Sequence, residues 1–171
     1  PLPLYFDNDK PAGGISETTT LTYSATYTPF IARKRDFITA YNRMMDDNGG
    51  MIVPENSMNK FFDADIKGGY DRLVGFSNIL KTYLQRGSQL EIIVEGYASP
   101  LANSEYNQRL SSRRVNTVIN HFSSFGGGVL KKYNFIFFTF FMCFPKNVDR
   151  LTNLLTLIIS FFSRTHGKRS H

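Results

Sequence analysis

The chain has 171 residues and a net charge of +6, and the excess is local: residues 1–125 hold 13 basic and 13 acidic residues, whereas 126–171 hold seven basic and one acidic. Bases spread between apolar runs do not form the clustered face that steers phosphate backbones, which argues against nucleic acid. One cysteine, Cys143, excludes an internal disulfide and any multi-cysteine metal site, and His121, His166 and His171 lack metal-ligand spacing.

The sequence opens at Pro1 rather than Met, so it reads as a fragment or a processed chain and says nothing about export. Residues 2–7, LPLYFD, alternate weakly and carry two aromatics, which predicts a first strand. Asn8, Asp9, Pro11, Gly13 and Gly14 end it in a loop. From Tyr23, apolar residues recur at threes and fours through Tyr27, Phe30, Ile31, Phe37, Ile38 and Tyr41, up to Asn48-Gly49-Gly50. That spacing predicts an amphipathic helix interrupted near Pro29.

Ser57 is the expected N-cap of a further helix reaching about residue 85. Its apolar face is broad, from Phe61 and Phe62 to Tyr83 and Leu84, with Gly68-Gly69 as an expected break and Gly87 as the stop. Residues 89–97, QLEIIVEGY, are the clearest strand, with Leu90, Ile92 and Val94 on one face. After the turn ASPLANS comes a helix over roughly 104–122, ended by Gly126-Gly127-Gly128. Strand, helices, strand, helix is the order of an α/β (α+β) sandwich with helices packed on a sheet.

The composition changes after Tyr133. Half of the sixteen phenylalanines lie within residues 134–162, in the runs NFIFFTFFMCF and LTNLLTLIISFF. Neither reaches the roughly 20 residues of a membrane-spanning helix, and two lone strands cannot close a barrel. The plain reading is a buried central strand followed by a packed helix.

The helix after ASPLANS carries the most informative pattern. At about 100° per residue, Glu105, Gln108, Arg109, Ser112, Arg113, Asn116 and Asn120 gather on a solvated arc, and Tyr106, Leu110, Val115, Val118, Ile119 and Phe122 on an apolar one. Asn107 and Arg114 are seven apart and both fall inside the apolar arc. A charge on a packed side needs a partner. That partner is an internal acid, water reached by a stem running to the domain edge, or an anionic ligand gripped bidentately. The turn and the helix N-terminus would add backbone N–H donors for such an anion.

The stretch GYASPLANSEYNQRLSSRRVNTVINHF resembles the signature of OmpA-like C-terminal domains, the peptidoglycan-binding modules of the periplasm. Gly96-Tyr97, Tyr106-Asn107, Leu110-Ser111 and Arg114 fall in register with it. LYFDNDKP and GYASPLA resemble a Bacteroidetes-type variant with a helical insertion, and the likeness covers about residues 2–133. The resemblance implies an OmpA-like two-layer sandwich with helices on a small mixed sheet. Residues 1–133 would be the domain, with the insertion at about 15–50, and 134–171 an atypical Phe-rich tail, in part out of frame.

It also implies a non-catalytic module that anchors an outer-membrane-associated parent protein to peptidoglycan in the periplasm of a Gram-negative bacterium, without cofactor or metal. In the family an Asp of the turn holds the ammonium of diaminopimelate in the stem peptide, and the helix Arg holds its carboxylate. The Arg is Arg114 here; the Asp position is Ser99, which removes one charge. Asp7 or Asp9, at the end of the first strand, is the nearest substitute acid, and Asn107 is a hydrogen-bonder of the turn or a ligand contact. The alternative is the same fold as a structural or protein-interaction module with wall binding weakened or lost. No Ser-His-Asp set, paired carboxylates, P-loop or zinc motif points to an enzyme.

Overall fold

The computed structural model describes residues 2–47, 57–98, 102–132, 136–143 and 156–164. Strand β1 (Leu2–Tyr5) leads into an extended strap that ends at Thr22, whose side chain caps helix α1 (Tyr23–Ala32) by accepting from the Ala25 amide. Helix α2 (Lys34–Asp47) follows. Helix α3 (Ser57–Lys60) passes through a π-helical stretch, Phe61–Lys67, into α4 (Gly68–Gln85). Strand β2 (Gln89–Ala98) precedes helix α5 (Ser104–Gly128), then a 3₁₀ turn (Val129–Lys132) and strands β3 (Ile136–Cys143) and β4 (Thr156–Arg164). The molecule is therefore a mixed helix-and-strand protein of the α+β kind.

The four strands form one sheet in the order β1-β4-β2-β3. β4 runs antiparallel to both neighbours, with Leu4 opposite Leu157 and Val94 opposite Ile159, while β2 and β3 are parallel, with Ile92 opposite Phe137. The tail thus supplies half the strands, and the sheet draws on both sides of residue 133. The packed helix expected in the second apolar run is instead β4, the strand between β1 and β2. Its run of Leu157, Ile158, Ile159, Phe161 and Phe162 is rich in β-branched and aromatic residues, which suits a strand paired on both edges. The first run, expected as a central strand, lies at the sheet edge.

Helices α1, α4 and α5 bury a core with Leu4, Phe6, Tyr23, Leu73, Leu80, Ile92, Val94, Val115, Val118 and Phe122. A second cluster, Phe30, Tyr41, Met58, Phe62 and Ile66, holds the first two helices against α3 and the π-helical stretch. Helix α1 continues through Pro29, and the break expected there comes at Arg33. Nor do Gly68 and Gly69 break the second helix. Gly69 is buried, and a Cβ on it would stand 3.0 Å from the Pro3 carbonyl oxygen, so its missing side chain lets α4 approach β1. Only one stripe of the expected broad face is buried, Phe62 and Ile66 continuing into Leu73, Leu80 and Leu84 with Ser77 between them, and Ile79 and Tyr83 are exposed. The Asn103 side chain caps α5 by accepting from the Tyr106 amide, and positive φ at Gly126, Gly127 and Gly128 ends its regular part where the sequence places the stop.

Candidate functional site

The site is built where the strap crosses helix α5. A long loop without its own ladder must find donors for its carbonyls elsewhere. Here they come from one edge of α5. Arg114 Nε donates to the Lys10 carbonyl at 2.8 Å and Nη2 to the Asp7 carbonyl at 3.2 Å. Arg113 Nε donates to the Pro11 carbonyl at 2.9 Å and Nη1 to that of Ser16 at 2.7 Å. Asn116 donates to Glu17, and Asn120 to Thr19 and Leu21.

This row corrects the reading of the helix wheel. Arg113, placed there on the solvated arc, is only 1% exposed, and Ser112 is buried as well. The strap, not water, covers Arg113 and meets Asn116 and Asn120, while Glu105 and Gln108 of the same arc stay exposed. Gly13 makes the close approach feasible, since a Cβ on it would fall 2.5 Å from Arg113 Cδ.

Arg114 lies inside the packed face as predicted, also 1% exposed, and its guanidinium carbon sits 5.2 Å from the centre of the Phe6 ring. The acceptors of its hydrogen bonds are neutral carbonyls. Burial pushes its pKa down to about 9; of the nearby charges Asp9 does most to hold it up, and Arg113 opposes. Among the described residues two buried side-chain atoms lack a hydrogen-bond partner, Arg114 Nη1 and Tyr41 Oη. The guanidinium is therefore desolvated with no carboxylate at bonding distance among the described residues, a state that an incoming anion relieves.

The other expected residues divide. Asp7 is buried and committed: its side chain accepts from Arg33 Nη1 and from the Asn8 amide. Asp9 is exposed, in the left-handed region at φ 51°, and accepts the Tyr106 hydroxyl at 2.8 Å. Tyr106, read as core in the sequence, is thus a half-buried bridge between α5 and the strap. Asn107 is buried and donates to the Ala102 carbonyl at 3.0 Å, which fits a hydrogen-bonder of the turn. Ser99 lies outside the described residues.

A second buried polar pair stands apart, with His121 Nε2 3.2 Å from Ser77 Oγ. The Ser77 hydroxyl donates to the Leu73 carbonyl, so its proton is already engaged in the helix. Compared with protein-family models, curated proteins and solved structures, the chain matches none. Among the described residues no helix is long and apolar enough to cross a membrane.

Proposed function

We propose that this chain is an OmpA-like, non-catalytic module that binds the stem peptide of peptidoglycan. It would anchor an outer-membrane-associated parent protein to the cell wall from the periplasmic side. The observation that carries the reading is Arg114: a guanidinium buried at the register position of the signature, bonded to neutral carbonyls and left with one nitrogen unpartnered. Such a group takes a carboxylate. The sheet order, with its single parallel pair and with helices packed over it, supports the two-layer sandwich that the resemblance implies.

In this mechanism the carboxylate of diaminopimelate reaches Arg114 from the mouth of the strap and displaces the Lys10 or Asp7 carbonyl from it. No covalent step is involved, and neither a cofactor nor a metal takes part. A second reading keeps the fold and gives up wall binding, so that the domain serves as a structural or protein-interaction module. Ser99 at the acid position and the full burial of Arg114 beneath the strap favour that reading.

Co-sedimentation with purified sacculi separates the two. The wild-type chain is expected in the pellet, and Arg114→Ala, checked by its melting curve, in the supernatant. A folded wild type that stays in the supernatant moves the assignment to the second reading.

A further inference from the structure

The sheet has two faces, and the described helices pack on one of them. Ile92 and Val94 of β2 are buried in that core, while Glu91, Ile93, Glu95 and Tyr97, which alternate with them, are half-buried on the other face. A sheet face left to water alternates with the core face in polarity. This one departs from that rule. The register sets Phe138 of β3 beside Ile93 and Phe140 beside Glu95, with Ile158 and Phe162 of β4 beside Glu95 and Glu91. Among the described residues its acids are Glu91 and Glu95, both on β2, and Glu95 accepts from the Tyr97 hydroxyl at 3.2 Å.

Bases gather at one end of the same sheet. β2 begins there at Gln89, directly after the turn that follows α4; β4 ends there, with Arg164 opposite Gln89; and β3 begins there after the 3₁₀ turn, with Ile136 opposite Glu91. The end therefore carries Lys81 and Arg86 from the close of α4, Lys131 and Lys132 from the 3₁₀ turn, and Arg164. Arg86 and Lys131 are exposed, and neither they nor Lys81 form an ion pair among the described residues.

We propose that this outer face of the sheet docks on an anionic lipid surface, its aromatic and aliphatic residues at the headgroup boundary and its basic end on the lipid phosphates. The contact goes beyond wall binding and does not depend on it. Apolar residues bordered by Lys and Arg are the composition that settles in a membrane interface, and each base close to an anionic leaflet adds about fivefold in affinity. A second copy laid face to face would press Glu91 and Glu95 into a dry interior, whereas the headgroup layer is wet and keeps them hydrated.

Co-sedimentation of the intact chain with vesicles tests this, using phosphatidylglycerol mixed with phosphatidylcholine against phosphatidylcholine alone, with no peptidoglycan present. Wild type is expected to bind the anionic vesicles about tenfold or more tighter than the neutral ones, and to be released by high salt. Arg86→Glu combined with Lys131→Glu, both at exposed positions, reduces binding about tenfold or more at an unchanged melting temperature. The chain has no tryptophan, so Phe138→Trp provides a single reporter on the face, and its emission moves to the blue on anionic vesicles. Ile93→Trp, on the neighbouring strand, replaces it if that variant does not fold. Equal binding to both vesicle types, binding to neither, or binding untouched by the double charge reversal overturns the proposal. Salt-sensitive binding without a blue shift shows the basic end acting alone and refutes docking of the face. A wild-type dimer in sedimentation velocity that leaves the vesicles unbound gives the face to a second copy instead.

Discussion

Single residues in this protein are decided by what lies on top of them. Arg113 and Arg114 are adjacent on one helix and equally buried, yet only Arg114 was legible as buried from periodicity. The wheel tells which side of α5 faces the sheet; it carries no information about a strap arriving from residues 7–21. A signal was present all the same: Arg113, Asn116 and Asn120 are spaced by three and four, and each is a strong donor facing a loop rich in Gly, Ser and Thr. His121 shows the same dependence on cover. Burial lowers its pKa from 6.5 to about 4. Above pH 6.5 it is neutral in both folded and unfolded chains. As pH falls through that value the unfolded chain takes up the proton first, so stability is lost between pH 6.5 and 4. Fully developed below pH 4, the loss amounts to about 3 kcal/mol. Chemical denaturation at pH 7 and pH 4.5 should therefore show a smaller acid loss for His121→Gln than for wild type, and equal losses would refute the assignment.

At the scale of elements, the site depends on how closely α5 approaches β2. Gly96 sets that distance: a Cβ on it would meet Val115 Cγ2 at 2.7 Å and the Ser111 carbonyl oxygen at 3.0 Å. The second contact is backbone and cannot rotate away. Gly96→Ala is expected to cost about 1–3 kcal/mol through overpacking. Because Ser111 and Val115 flank Arg114, it should also weaken ligand binding; an unchanged melting temperature would show that the sheet yields instead. The elements themselves were largely readable, since β1, β2, α4 and the end of α5 follow from alternation, spacing and the glycines. Those that were not readable share one cause. Gly69 is read alone as a helix breaker, but in the fold it is the point where α4 meets the backbone of β1, and tertiary packing overrides its propensity. Short apolar runs have the same ambiguity, and LTLIISFF becomes a strand because two strands offer it edges.

For the whole molecule, β4 is the piece on which the order of the sheet depends. It joins β1 to β2, and without it the first strand has no neighbour in the sheet. The break in composition at Tyr133 is consequently no boundary in the sheet. A chain ending at residue 133 is expected to lose cooperative thermal unfolding and its near-ultraviolet dichroism; a sharp transition in that truncated chain would show that the two tail strands are dispensable. The strap has a comparable place in the architecture. It begins at the end of β1, an edge strand, and lies along α5, so the sheet and the site are held by the same helix.

The central claim is that Arg114 receives a carboxylate from outside the chain. Calorimetric titration of a diaminopimelate-containing muropeptide into wild type and into Arg114→Ala, both confirmed as folded, measures this most directly. Saturable heat in wild type that disappears in the variant is the predicted result. Equal affinity in the two proteins, or no heat in wild type, would contradict it.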